Sequence, residues 1–574
     1  MKKHVGKILL AMVFALLLVP TVTAEAKTRT TESGNKELIY SDKTTLLNLY
    51  DTETTQTSIT ITKEMITSYT EDQGDGAFYT IIQYCLNYAK EKSSASNPIT
   101  ITVEAGEYSL TNQLHIYSNT TLNVTGATIT NATNKKHHML IVGTPSSDQP
   151  TGYDYYKNIT IIGGTWNGNG AACAAAGLGD TPLFQIAHVT NLTIQNVTLL
   201  DPNDNHHMEL AACNNVTITG CVFRNQTVKS STHATEALQL DINNKNFGEY
   251  GTYLVSGDKG YGCKNVEISG CTFENVVRGV GSHSSTASYP YENISIHDNK
   301  FTNISGQAIR LQCYKNSNVY NNVISGTSGS GIYVYSTNTG TSIYSNTISS
   351  GSSYGIYVAG SATVASLKSN TIKSMTSGGI YVGSSAKVTD ITSNTISSCP
   401  YGVYVYAGTV TNIKSNKLTS CTNGIYASSA TVTSVKKNTI KKSKYGIYVV
   451  GGNVTGILSN TINKSTGSGV VVVGSATVGK ISKNTIKTSS SNGITMKSST
   501  VTNINSNTIA AAKYGIYMSE STASQILKNT IRKCTKAGVK ICKKSTVNKF
   551  GSTTYKKNAK KYIVSSNSKI KKTV

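Results

Sequence analysis

The sequence predicts an all-β chain wound as a right-handed parallel β-helix solenoid, closed at its N-terminal end by a capping helix. Three observations carry that prediction. Two short phrases recur at a fixed period, each repeat alternates apolar and polar residues as a strand does, and one amphipathic helical stretch precedes the first repeats.

The first phrase is Gly followed by Ile or Val, with glycine at Gly331, Gly355, Gly379, Gly402, Gly424, Gly446, Gly469, Gly493, Gly515 and Gly538, at intervals of 22 to 24 residues. The second is Asn-[Thr/Lys]-[Ile/Leu], with asparagine at 346, 370, 394, 416, 438, 460, 484, 507 and 529. That period belongs to solenoids. Leucine-rich repeats share it but need a different leucine pattern. Ile332 and Val334 alternate with Tyr333 and Tyr335, so the aliphatic pair is expected to fill the bore and the tyrosines to face out. Coils stacked at about 4.8 Å make the regular part about 43 Å long. A fixed asparagine per coil predicts a hydrogen-bonded ladder, and the glycine before each strand predicts backbone geometry that a side chain would hinder. Outward tyrosines at 333, 357, 381, 404, 426, 448 and 517 predict an aromatic stripe, which packing alone accounts for or which serves as a platform for sugar rings.

Residues 331–550 form this regular part. Residues 76–330 read as irregular coils of the same helix, in which the strand at Gly331 aligns with Ala308–Leu311, Gly279–Ser282, Ala237–Leu240 and His207–Leu210. The longer spacings predict loops between coils, among them Asn243–Gly262. Phe78–Lys90 is the capping helix, residues 27–75 a polar leading segment, and residues 551–574 a basic tail that either closes the last coil or stays partly unstructured. Residues 1–26 read as a signal peptide: Lys2, Lys3 and Lys7 precede the apolar run Ile8–Val19, and Ala24-Glu25-Ala26 offers a cleavage site. No later segment is apolar enough to span a membrane, so a secreted, extracellular or cell-wall location is expected.

Charge divides the chain. Residues 1–330 carry 22 Lys/Arg and 27 Asp/Glu, whereas residues 331–574 carry 31 Lys/Arg against only Asp390 and Glu520. The basic half is therefore a candidate surface for an anionic cell-wall polymer. Nucleic acid is the weaker candidate because no nucleic-acid-binding motif is present. The phrases CNNVTITGC and CKNVEISGC place Cys213 and Cys221 at positions equivalent to Cys263 and Cys271. Stacked buried thiols are the first reading and disulfides between coils the second. No cysteine set has zinc spacing.

The VEAGEYSL opening and the phrase IIGGTWNGNG (Ile161–Gly170), together with the helix, resemble the pectate-lyase-like right-handed parallel β-helix superfamily. The resemblance covers roughly residues 76–550 and implies the fold. It implies no single activity, since that superfamily spans lyases, hydrolases, epimerases and non-catalytic adhesins. The Asn-Thr-Asp, Asp-Asp, Gly-His-Gly and Arg-Ile-Lys phrases of polygalacturonase-type hydrolases are not present. The aspartate cluster of a calcium-dependent pectate lyase is not identified either. No cofactor is assigned, and calcium is left open without a clear site.

Nine of the ten histidines fall between residues 115 and 297. The coil alignment sets Glu209, Gln239, Arg310 and Tyr333 in one outward column. Asp241, His283, Gln312 and Tyr335 stand two residues further along, and His206, Glu236 and Arg278 at the strand starts. Glu209 and Asp241, placed about 8 Å apart by strand geometry, fit an acid–base pair with water between them. Arg278 or Arg310 is the candidate to neutralise a uronate, and His206, His207 or His283 to take the proton α to it. Gln239, Gln312, Tyr333 and Tyr335 are candidate substrate contacts. The leading expectation is an extracellular protein that processes a polysaccharide, acidic polysaccharides included, as lyase, hydrolase or epimerase. The alternative is a non-catalytic surface or wall-binding β-helix protein.

Overall fold

The computed structural model describes residues 28–30, 36–51, 54–227, 235–252, 261–282 and 285–574. The expected signal peptide, His283 and residues 253–260 of the long loop lie outside them.

Each coil contributes one strand to each of three parallel sheets that run the length of the solenoid. In the coil 401–419, for example, Tyr401–Tyr406 lies in the tyrosine sheet, Thr409–Lys414 in a long-strand sheet and Lys417–Thr419 in a short-strand sheet. The inward positions are Ile, Val and Leu almost throughout and are buried. In the irregular half larger rings take their place at one site, where Phe223, Phe273 and Phe301 stack at 4.7 Å. The expected alignment of irregular coils holds residue for residue: Met208 pairs with Leu238, Leu238 with Val280, Val280 with Ile309 and Ile309 with Ile332.

The asparagine ladder forms, and it begins earlier than the repeats do. From Asn322 to Asn529 each side-chain oxygen accepts both the amide and the backbone N–H of the asparagine one coil before, and Asn299, which starts the ladder, accepts from Cys271 N. Asn416 Nδ2 also donates to Ile391 O at 2.9 Å. Buried polar groups thus satisfy one another down the axis.

The glycine column has a different cause from the one the sequence suggests. Gly424 has an ordinary negative φ, but a Cβ there would stand 2.5 Å from Gly446 O and 2.6 Å from Ile440 Cγ2. Close approach of coils, not left-handed backbone, excludes a side chain. The left-handed corner positions are filled instead by Ser, Asn and Lys, such as Ser415 and Lys442.

Both ends are closed. Helix Ala77–Lys92 buries Phe78, Ile81, Ile82, Cys85, Leu86 and Ala89 against the first coils. A second helix, Lys63–Gln73, precedes it and is capped by Thr62, whose hydroxyl accepts from Met65 N. The polar leading segment is not separate, since Ser58–Ile61 pairs in parallel with Ile99–Val103 of the solenoid. At the other end the basic tail completes a coil: Thr554–Lys556, Tyr562–Val564 and Lys569–Thr573 join the three sheets. Exposed Lys569, Lys571 and Lys572 line its last edge, a device that discourages further strand pairing.

Candidate functional site

The loop that starts at Asn243 folds back over the tyrosine sheet of earlier coils. Its short helix Gly248–Thr252 is pinned by Tyr250, whose hydroxyl donates to Val142 O at 2.5 Å and accepts from Val142 N at 2.9 Å. Asn243 donates to His188 at 2.5 Å, and Glu249 N donates to Gln185 Oε1 at 3.2 Å. Between this loop and the sheet lies a cleft of about 480 Å³, with His138, Asp180, Gln185, His206, Glu209 and Glu249 on its walls.

Glu209 is the predicted residue most clearly placed there. It stands one coil beyond Gln185, which donates to its carboxylate at 2.8 Å, and one coil before Gln239. Its exposure is 9 %. His206 also lines the cleft, with Nδ1 2.6 Å from Glu236 O. His138 Nδ1 donates to Pro182 O, and burial lowers its pKa. The sequence reading missed Gln185, Glu249 and His138. Extending the coil alignment back by one turn, from MELA to FQIA, would have found Gln185.

The Glu209–Asp241 pair differs from its expected geometry. Gln239 Nε2 donates to Asp241 at 2.5 Å and reaches Glu209 at 3.5 Å. The two facing carboxylate oxygens are therefore at most about 6 Å apart, with the Gln239 amide between them. The amide occupies the place intended for water. Asp241 is 5 % exposed and also accepts from Ile242 N.

Glu236, Arg278 and Arg310 form a neighbouring cluster rather than part of the cleft. Gly281, in register with Gln239 and Arg310, leaves room for the Glu236 side chain, whose Cγ would stand 3.2 Å from a Cβ there. The fully buried Glu236 carboxylate is 3.2 Å from Arg278 Nη1 and 3.8 Å from Arg310 Nη1. Arg278 also donates to Gln307, and Arg310 to Gln312. Burial lowers the Arg278 pKa and the Glu236 carboxylate opposes that shift. Both expected uronate-neutralising arginines are thus turned onto a carboxylate of the protein itself. His207 points into the bore, against Phe223, and its Nε2 faces Arg224 O and Asn225 O. Burial pulls its pKa down to about 4, so it is a neutral core residue at neutral pH.

Beyond Arg310 the same outward column becomes aromatic. Tyr333, Tyr357, Tyr381, Tyr404, Tyr426 and Tyr448 stand on successive coils with ring centres 4.6–5.3 Å apart. Tyr335 flanks Tyr333 at 5.8 Å and is 40 % exposed. Val471 and Thr495 follow Tyr448 in the column, so Tyr517 is detached from the stripe. One sheet face therefore runs from the cleft, over the arginine cluster, onto the tyrosines.

Among the described residues no group of three or more His, Cys, Asp and Glu side chains is arranged to hold a metal. All eleven cysteines are buried thiols, including the two predicted pairs. Among the described residues no helix is long and apolar enough to cross a membrane.

Residues 411–571 match the family model for periplasmic copper-binding protein (NosD), and residues 241–389 match that for the right handed beta helix region. Residues 411–571 hold no histidine, one acid, three buried cysteines and the buried methionines Met496 and Met518, and none of their cysteines and acids belongs to a group of three or more arranged to hold a metal. No curated protein matches the chain. Among solved structures, the surface adhesin PfbA of Streptococcus pneumoniae is similar at 17% identity over 89% of this chain and 93% of that one, with a TM-score of 0.41. A second structure of PfbA gives 19% identity over 69% and 95%, with a TM-score of 0.47. An exopolygalacturonase from Thermotoga maritima gives 12% over 64% and 89%, with a TM-score of 0.38. With three parallel sheets wound in register about one aliphatic bore, the chain has the right-handed parallel β-helix fold, with no single enzyme family identified.

Proposed function

We propose that this chain is an exported, non-catalytic polysaccharide-binding solenoid that holds a neutral glycan in the Glu209 cleft and along the tyrosine stripe. The observation that carries this reading is the cleft itself. Asp180, Glu209 and Glu249 face one space with His138, His206 and Gln185, a set rich in hydrogen-bond acceptors for sugar hydroxyls. Three carboxylates outnumber the one lysine, Lys136, on the cleft wall and repel a uronate, and the nearby guanidinium groups of Arg278 and Arg310 are engaged by Glu236. A neutral or amino sugar fits better than an acidic one. The stripe continues the same face with half-buried tyrosines whose hydroxyls add donors and acceptors for sugar hydroxyls.

Polysaccharide processing is a second reading, favoured by one observation: two buried carboxylates, Glu209 and Asp241, stand on neighbouring coils joined through the Gln239 amide, and glycosidases work with such a pair of carboxyl groups. One experiment separates the two. Purified protein is screened against neutral and uronic-acid polysaccharides for retention, reducing ends and absorbance at 235 nm. The binding reading expects retention of a neutral glycan, no product, and about a tenfold loss of affinity in Glu209→Gln. Product formation abolished by Glu209→Gln or Asp241→Asn establishes processing instead. Retention unchanged by Glu209→Gln removes the cleft from either reading.

A further inference from the structure

The short-strand sheet forms a different face of the solenoid from the tyrosines, and its last coils carry cations in register. Pairing sets Lys441, Asn463, Lys487, Ala510, Arg532 and Lys556 in one outward column over six successive coils. The corner residues that follow them are Lys442, Lys464, Thr488, Ala511, Lys533 and Lys557, with backbone in the left-handed region. Every lysine and arginine of the two columns is exposed. Five of the six coils therefore present at least one cation, over a length of about 24 Å at about 4.8 Å per coil.

No acid balances them. Between Ile391 and the C-terminus the only acid is Glu520, which accepts from Ser498 Oγ on another corner. Among the described residues no ion pair involves any residue beyond Lys315. Like charges directly opposite on neighbouring strands are unfavourable. Such neighbours are Lys442 and Lys464, Arg532 and Lys556, and Lys533 and Lys557. A solenoid needs solubility, which scattered charge of both signs supplies without this repulsion. A file of one sign along the axis is relieved by a ligand that is itself a file of the other sign.

We infer that this face, from Lys441 to Lys557, is a docking rail for a linear polyanion that carries a carboxylate or phosphate on each monomer and lies parallel to the solenoid axis. A straight file of exposed ammonium groups contacts such a chain at several points at once, whereas a compact anion meets only one coil. The inference is independent of the cleft: the rail and the tyrosine face are separate sheets, so the molecule presents a glycan surface and an anchoring surface together.

The test compares two variants of equal charge change. The rail variant is Lys441→Gln, Lys487→Gln, Arg532→Gln and Lys556→Gln together. The control variant is Lys368→Gln, Lys387→Gln, Lys414→Gln and Lys480→Gln together, which removes four exposed cations from the long-strand sheet. Binding of the full chain to inorganic polyphosphate and to polygalacturonate is measured between about 50 and 200 mM salt. The rail reading expects tight, salt-sensitive binding of at least one polymer. It also expects about a tenfold or greater loss in the rail variant, a shallower salt dependence, and less than about a threefold loss in the control. The preferred polymer identifies the anion as phosphate or carboxylate. Equal losses in both variants, or no binding to either polymer, overturn the rail. An unchanged thermal transition in the rail variant confirms that the loss is not unfolding, since all four side chains are exposed.

Discussion

In the coils from Gly331 onward, each turn takes 22 to 24 residues, and from Tyr333 to Tyr448 the outward column of one sheet is filled by tyrosine rings. In the coils between Phe184 and Gln312, the same column holds Gln185, Glu209, Gln239, Gly281 and Arg310, and a long loop folds back to cover its beginning. The bore is aliphatic or aromatic in both. What differs is which residues can be changed without disturbing the stack. The regular half spends its polar residues on satisfying one another along the axis. The irregular half gathers carboxylates and histidines beneath a loop, where no stacking rule requires them.

That contrast can be broken in several places. The largest effect is expected in the ladder. Asn416→Leu leaves the amide and backbone N–H of Asn394, and Ile391 O, without their partner. It should cost about 3–5 kcal/mol in denaturant unfolding while leaving glycan binding at the cleft intact. Loss of glycan binding with unchanged stability would reverse the roles assigned to the two halves.

The next effect is a pH dependence seated in the irregular half. His207 has a folded pKa of about 4 against an ordinary value of 6.5, because burial penalises the charged ring. Between those values the unfolded chain binds a proton that the native state does not, so stability rises with pH across this window. It is fully present above about 6.5 and falls as the pH drops toward 4, by on the order of 3 kcal/mol. Burial lowers the pKa of His137 and His138 in the same direction. A urea midpoint independent of pH from 7 to 4 would contradict the buried, neutral placement of His207.

Smaller effects sharpen the picture. Gly424→Ala should destabilise by about 1–3 kcal/mol, because the added methyl meets the next coil rather than a forbidden φ. Gly451→Ala, at a left-handed corner with 3.3 Å to its nearest neighbour, tests backbone strain instead. Tyr381→Ala removes the middle ring of the stripe and should weaken glycan binding by roughly fivefold, about 1 kcal/mol, with little change in melting. If its whole effect is on melting, the stripe is packing alone.

Much of the fold was legible because a stacked coil repeats its constraints. The glycine, asparagine and tyrosine positions each recur, so pairing at Gly331 extends by counting, and it extends correctly through Ala308, Gly279, Ala237 and His207 despite the loops. The site was legible only in part. Register identified Glu209 as outward, but it could not show that Gln239 would bridge to Asp241 or that Glu236 would capture both arginines. Those outcomes depend on side-chain reach across coils, and on Gly281 vacating the space between them. His207 shows the limit most plainly. It is adjacent to His206 in sequence, yet the bend that leads into strand Met208–Ala211 sends one ring to the cleft and the other to the bore beside inward Met208. Glu249 reaches the cleft only through a loop anchored on Val142, a contact across more than a hundred residues.

The most direct test of this division of labour is amide hydrogen exchange on the full chain, with and without a saturating neutral glycan found in the retention screen. New protection is predicted in helix Gly248–Thr252 and strand Met208–Ala211, extending at most along the tyrosine strands, with the coils from Lys441 to Lys557 unchanged. Protection confined to Lys441–Lys557, or spread evenly over the solenoid, would contradict the assignment of the glycan site to the irregular half.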